Sequence, residues 1–122
     1  MNIVKSYRDL EVWKKSIEWA ELIYKSSSGF PAEERFGLKS QLRRAAVSVA
    51  SNIAEGAERR TTGEYLHSLS IARGSLAEAE TQIILARRLE FFSQDQEEPL
   101  LLRSEELSKM LGGLMRSLES RR

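Results

Sequence analysis

The sequence predicts an all-α protein, an antiparallel up-down-up-down four-helix bundle. Four segments carry apolar residues three and four positions apart, the spacing of an α-helix with one buried face. Only a few residues separate these segments, so consecutive helices are expected to run in opposite directions. No stretch alternates as a β-strand does, and only two of the 122 residues are prolines.

The composition describes one domain, long enough for a single hydrophobic core. The chain has 19 basic and 18 acidic residues, and this net charge of +1 does not by itself indicate nucleic-acid binding. The absence of cysteine excludes disulfides, thiolate metal sites and cysteine nucleophiles. Residues 1–7 lack the apolar run of a signal peptide, and no segment approaches the roughly 18 apolar residues that span a membrane. We therefore expect a cytoplasmic protein with no membrane partner.

The first helix is predicted over residues 9–27, with Asp9 as its N-cap and Pro31 barring its continuation. Its apolar residues fall on two strips, of which we expect the first to face the bundle and the second to flank it. The first strip is Leu10, Trp13, Ile17, Ala20 and Tyr24, and the second is Val12, Trp19 and Ile23.

The second helix is predicted over residues 32–57, with Gly37 either a kink or a break after a short first piece. A helix in a small monomer needs only one apolar face, but this one has two. The second face indicates another helix of the bundle or another subunit as its partner. The core stripe is Leu38, Leu42, Ala45, Val49 and Ile53, and the nearly opposite face carries Val47, Ala50 and Ala54.

The third and fourth helices are predicted over residues 63–91 and 96–119. Thr61 or Thr62 can cap the third, and Pro99 suits the first turn of the fourth. The adjacent Gly112 and Gly113 predict a bend or the close approach of another backbone. The core stripes are Tyr65, Leu69, Ala72, Leu76, Ala79, Ile83 and Ala86 in the third helix, and Leu100, Leu107, Leu111, Leu114 and Leu118 in the fourth.

Several runs along most of the chain are similar to one known family. They include residues 9–13, 41–48, 71–76 and the Asn-Ile-Ala-Glu-Gly run at 52–56. The chain thereby resembles the four-helix-bundle proteins encoded in intervening sequences of bacterial 23S ribosomal RNA genes. A divergent relative is the accessory variability determinant of diversity-generating retroelements. The resemblance implies a bundle that assembles as a homopentamer, and it implies nucleic-acid binding.

Polar residues form a strip on the second helix and another on the third. We expect them to meet in a hydrogen-bonded network that fixes the register of the two helices, the alternative being solvated surface. The predicted network consists of Arg44, Ser48, Asn52, Glu55, Ser75 and Glu78.

Basic residues are the predicted contacts to phosphate, the alternative being ordinary surface charge balanced by glutamates. In a ring of subunits each basic patch recurs around the axis, so phosphate contacts add and binding is sequence-tolerant and salt-sensitive. The predicted nucleic-acid-binding residues are Arg35, Lys39, Arg43, Arg59, Arg60, Arg87 and Arg88.

Surplus apolar residues predict the subunit interface. A tryptophan on an apolar strip can stack on bases, but more often it anchors an interface. The predicted interface residues are Val12, Trp19, Val47, Ala50, Ala54, Ile71 and Leu85.

No catalytic constellation is visible, so we expect a non-enzymatic protein without cofactor or metal. Di-metal bundles use a Glu-x-x-His motif twice, whereas here Glu64 and His67 supply it once. Two functions remain open: a nucleic-acid-binding module for structured RNA, DNA or a ribonucleoprotein, and a scaffold for another protein, which the near-neutral charge favours. A metal-dependent enzyme is a distant third.

Overall fold

The computed structural model describes residues 6–122, which form four α-helices: α1 (Glu11–Ser27), α2 (Leu38–Ala57), α3 (Thr62–Arg88) and α4 (Gln94–Ser120). Single 3-10 turns at Tyr7–Asp9 and Ala32–Glu34 precede α1 and α2. Each helix packs against the next and α1 packs against α4, whereas within residues 6–122 the diagonal pairs do not meet. This arrangement confirms the predicted helical bundle. The prediction about the N-terminal segment lies largely in residues 1–5, outside the described residues.

The helices begin where side chains satisfy their first N–H groups. Asp9 is not the N-cap of α1; its carboxylate instead accepts from Ser6 N at 3.3 Å and closes the preceding 3-10 turn. Glu34 Oε1 accepts from Leu38 N at 2.9 Å, so α2 begins after a break at Gly37, one of the two predicted alternatives. Thr61 caps α3 as predicted, by accepting from Glu64 N.

The α3–α4 connection is longer and α4 begins earlier than predicted. The left-handed backbone of Glu90, with φ of 65°, follows the end of α3. Ser93 then caps α4 by accepting from Gln96 N at 3.2 Å, while Gln96 Oε1 accepts from Ser93 N at 2.9 Å. This capping box starts the helix at Gln94, which puts Pro99 in the second turn rather than the first.

The core follows the predicted stripes in α2, α3 and α4, with Tyr65 and Leu114 half-buried and the other stripe residues buried. In α1 the two strips exchange roles. Trp19 and Ile23 are fully buried, whereas Ile17 and Tyr24 are 43% and 42% exposed. The expected order of these strips was wrong because both are apolar and each carries one tryptophan, of which Trp19 occupies the interior and Trp13 is half-buried; Ala20 is the buried member of the first strip.

Helices α2 and α3 approach each other closely at Gly56. A Cβ atom there would lie 2.9 Å from Tyr65 Cδ1 and 3.0 Å from Ser68 Cβ. By contrast, a Cβ at Gly74 would have open space around it, and one at Gly112 would meet only Arg116 of the same helix. The expected close approach of another backbone at the paired glycines is therefore absent within the described residues.

Among residues 6–122, none of the helices has the length and apolarity needed to cross a membrane.

Candidate nucleic-acid interface

The bundle has two ends, and the predicted phosphate-binding residues are divided between them. At the Phe30 end, the Phe30 ring lies 4.8 Å from that of Phe92, which joins the α1–α2 and α3–α4 connections. The other end, which we call the Gly56 end, holds the α2–α3 turn. The 20-residue α2 separates them by about 30 Å. Arg35, Lys39, Arg43, Arg87 and Arg88 belong to the Phe30 end, and Arg59 and Arg60 to the Gly56 end.

Arg43 is engaged in holding α1 to α2. Its Nη2 donates to the Tyr24 carbonyl at 2.8 Å, its Nε donates to Ser27 Oγ at 2.9 Å, and its guanidinium carbon lies 4.5 Å from the Tyr24 ring centroid. The Tyr24 carbonyl belongs to the last turn of α1, where carbonyls lack helical partners. The structure therefore places Arg43 as a cap of α1, with its Nε and Nη2 both donating to acceptors of that helix.

Arg59 and Arg60 lie in the α2–α3 turn and are exposed. No ion pair within residues 6–122 involves either of them. Arg59 lines a surface depression of about 400 Å³ that also contains Glu55 and Glu64, so carboxylates moderate the positive potential around it. Arg60 does not line that depression, and its exposed guanidinium is of the planar kind that can bind phosphate in bidentate geometry.

The Phe30 end carries a feature that the sequence patterns did not predict. Phe36 is 86% exposed, and the guanidinium carbon of Arg35 lies 5.2 Å from its ring centroid. The only sequence indication is an aromatic residue that falls between charged residues and a helix-breaking glycine, outside every helical stripe.

The predicted polar network is smaller than expected. Ser48 Oγ and Ser75 Oγ are 2.8 Å apart across α2 and α3, and Asn52 Nδ2 donates to Ser48 Oγ at 3.1 Å and to the Ser48 carbonyl at 2.9 Å. These residues form the floor of an outer groove between the two helices. Arg44, Glu55 and Glu78 are exposed, and within the described chain no ion pair joins them.

The predicted interface residues are divided by burial. Val47, Ile71 and Leu85 are nearly half exposed, and Ala54 is partly exposed. The prediction is wrong for three others, because the chain's own bundle covers them and leaves nothing for a neighbour to contact. These three are Val12, Trp19 and Ala50.

Among residues 6–122, Lys15 and Tyr65 have shifted pKa values. Lys15 Nζ donates a hydrogen bond to Glu106 Oε1, 3.0 Å away; this bond raises the pKa of Lys15, and the negative charge of Glu106 raises it further. Burial raises the pKa of Tyr65 above its ordinary 10.0. Across residues 6–122, no three His, Cys, Asp or Glu side chains meet in a cluster that could hold a metal ion.

Comparisons with known proteins agree with this architecture. A crystal structure from Bacteroides thetaiotaomicron VPI-5482, described as a protein of unknown function from the S23 ribosomal protein family, is similar with a TM-score of 0.77 and 27% identity. The similarity covers 85% of this chain and 97% of that one. No curated protein matches the chain. The family model for 23S rRNA-intervening sequence proteins matches residues 8–113. The protein therefore belongs to the 23S rRNA-intervening sequence protein family.

Proposed function

We propose that this protein is a non-enzymatic, self-associating cytoplasmic bundle that binds structured RNA, or a ribonucleoprotein, through arginines of the α2–α3 turn. The observation that carries the proposal is the exposure of Arg59 and Arg60 without an ion-pair partner among residues 6–122. Guanidinium groups bind phosphate in bidentate geometry, and such contacts position a protein on nucleic acid without reading its sequence. Neither a cofactor nor a metal enters this function.

Filter binding across a salt series tests it, with an RNA hairpin and a DNA duplex as probes. Changing both Arg59 and Arg60 to Glu should weaken retention and reduce the salt slope by about 0.7–0.9 for each phosphate that is no longer neutralised. The matched control changes Arg73 and Lys109 to Glu, because both are exposed basic residues outside the two ends. Unchanged retention of the Arg59/Arg60 variant would show that the α2–α3 turn does not contact the nucleic acid. If the native chain were not retained even at low salt, nucleic-acid binding itself would be contradicted.

Self-association is the second part of the proposal, supported by the apolar surface of Val47, Ile71 and Leu85. The family resemblance of the sequence implies five copies. Light scattering should give a multiple of the 13.9 kDa chain mass, and changing Val47 and Leu85 to Lys should lower it. Leu102→Lys is the control, because Leu102 is exposed on α4, a helix that carries none of these three residues. A native mass of 13.9 kDa would contradict the assembly.

A protein scaffold is the second candidate function, favoured by the net charge of +1 and the same exposed apolar residues. It predicts that the native chain fails to retain RNA or DNA at any salt concentration.

A further inference from the structure

Phe36 is the most exposed large apolar side chain among the described residues. It is 86% exposed, and the next, Leu102, is 66% exposed. A single surface hydrophobe needs no explanation by itself. Phe36 differs from an ordinary one in the turn that holds it and in the guanidinium of Arg35 that lies against its ring.

The turn that carries Phe36 is hydrogen-bonded on both sides of it. Arg35 N donates to the Ala32 carbonyl at 3.2 Å and Gly37 N donates to the Glu34 carbonyl at 3.0 Å. The Glu34 carboxylate reaches Leu38 N at 2.9 Å, and a Cβ at Gly37 would lie 2.8 Å from that carboxylate. The exposure of Phe36 is therefore set by a hydrogen-bonded turn with a defined backbone conformation.

One cation lies against the ring, and three more belong to the same end of the bundle. Arg35 lies against it, with the guanidinium carbon 5.2 Å from the centroid. Lys39 follows one turn later on α2, and Arg87 and Arg88 end α3 at the same end of the bundle. No ion pair within the described residues uses any of these four cations. An exposed aromatic face beside unpaired cations is the arrangement with which proteins hold unpaired bases, because the ring stacks on the base and the cations contact phosphate.

We propose that Phe36 is a stacking platform for an unpaired base of RNA, with Arg35 contacting the adjoining phosphate. This inference rests on the proposed RNA binding and adds a second contact at the opposite end of the bundle. The two contacts have different physical signatures. Stacking depends on a π-face and little on salt, whereas the Arg59–Arg60 contact is ionic.

The experiment compares Phe36→Ala with Phe36→Trp in binding two RNA probes, a blunt two-stranded duplex without a loop and the same duplex with a single-stranded overhang. Phe36→Ala should bind the overhang probe at least about fivefold more weakly, with an unchanged salt slope and unchanged affinity for the blunt duplex. Phe36→Trp should retain the affinity, and the overhang probe should quench its added emission. Leu102→Ala and Leu102→Trp are the controls and should show neither effect.

Equal binding of the overhang probe by Phe36→Ala and the native chain would overturn the stacking platform while leaving the Arg59–Arg60 contact standing. A lower mass of Phe36→Ala in light scattering would also overturn it, because Phe36 would then be an apolar contact between copies. Weaker binding of the blunt duplex by the Arg59/Arg60 variant, with Phe36→Ala binding it as the native chain does, would support the two contacts as separate ones.

Discussion

The indole Nε1 of Trp19 donates a hydrogen bond to the Leu100 carbonyl, 3.1 Å away on α4. Both residues are fully buried. The bond satisfies a donor that burial would otherwise leave unpaired, so it allows the indole of Trp19 to occupy the interior. This relationship fixes which side of α1 faces the core and leaves Ile17 and Tyr24 partly in solvent.

Replacing Trp19 by Phe should therefore lower the free energy of unfolding by about 2 kcal/mol, because both volume and a hydrogen bond are removed. Urea denaturation followed by circular dichroism measures the change. Trp13→Phe is the control, since Trp13 is only half-buried. Equal losses of stability in the two variants would contradict the claim that the buried Trp19 and its hydrogen bond to Leu100 stabilise the core more than Trp13 does.

Ser104 is fully buried and its Oγ has no hydrogen-bond partner within the described chain. A helical serine ordinarily donates to the carbonyl four residues back, but here that carbonyl, of Leu100, already accepts from Trp19. Ser104→Ala should leave stability unchanged or raise it by up to about 1 kcal/mol. Ser16→Ala is the matched control: Ser16 is equally buried but donates to the Trp13 carbonyl at 2.6 Å, so this variant should lose stability. A marked loss of stability in Ser104→Ala would show that the hydroxyl has a partner after all.

Gly56→Ala should destabilise the bundle. The added methyl would lie 2.9 Å from Tyr65 Cδ1 and 3.2 Å from the Tyr65 carbonyl, and overpacking of about 1–3 kcal/mol outweighs the roughly 1 kcal/mol gained in helix propensity. Gly74→Ala, with open space around the new methyl, should instead gain about 0.5–1 kcal/mol. Thermal unfolding of both variants measures the contrast, and a stabilised Gly56→Ala would refute the close approach.

Arg43→Met should lower stability by about 1 kcal/mol, because the Tyr24 carbonyl and Ser27 Oγ lose the hydrogen bonds that Arg43 donates while the aliphatic part of the side chain is kept. The salt slope of RNA retention should not change. If Arg43→Met reduced the salt slope of RNA retention as much as the Arg59/Arg60 variant does, Arg43 would also have to contact phosphate.

Alkaline pH should weaken the fold through Tyr65. Burial raises the pKa of Tyr65 in the folded chain above its unfolded value, so the neutral ring's contribution is complete below pH 10.0 and is lost as the pH rises through the folded pKa. The test measures the urea midpoint of unfolding for the native chain and for Tyr65→Phe as the pH rises above 10.0. The midpoint of Tyr65→Phe should fall less steeply with pH. The raised pKa of Lys15 acts in the same direction, so Lys15→Met should reduce the decline too. Parallel curves for all three proteins would contradict both assignments.

Periodicity was sufficient to predict the bundle because α2, α3 and α4 each carry one dominant apolar stripe. It failed in α1, where two strips are equally apolar and a tertiary hydrogen bond from Trp19 decides between them. The start of α4 was misplaced because proline is expected in a first turn, whereas the Ser93–Gln96 capping box starts this helix at Gln94, a full turn before Pro99.

The sequence predicted which types of residue would form the candidate site, but it did not predict where in the bundle they lie. Arginine content indicated phosphate contacts, but sequence spacing does not reveal that Arg43 caps α1 or that the basic residues lie at both ends. Phe36 was missed because it belongs to no helical stripe, and helical stripes are what periodicity detects.

The contact between α1 and α4, the first and last helices, determines how the chain can be circularly permuted. Because α1 packs against α4 in the opposite direction, the start of α1 and the finish of α4 both point toward the Gly56 end. The contact of Lys15 with Glu106 shows that α4 continues beyond the start of α1, so a linker between the two must run back along the last turns of α4. A circular permutant joined by such a linker and reopened at the exposed Ser28 and Gly29 would preserve every interhelical pairing. Its new termini would lie at the Phe30 end, and the joined ends would lie at the Gly56 end.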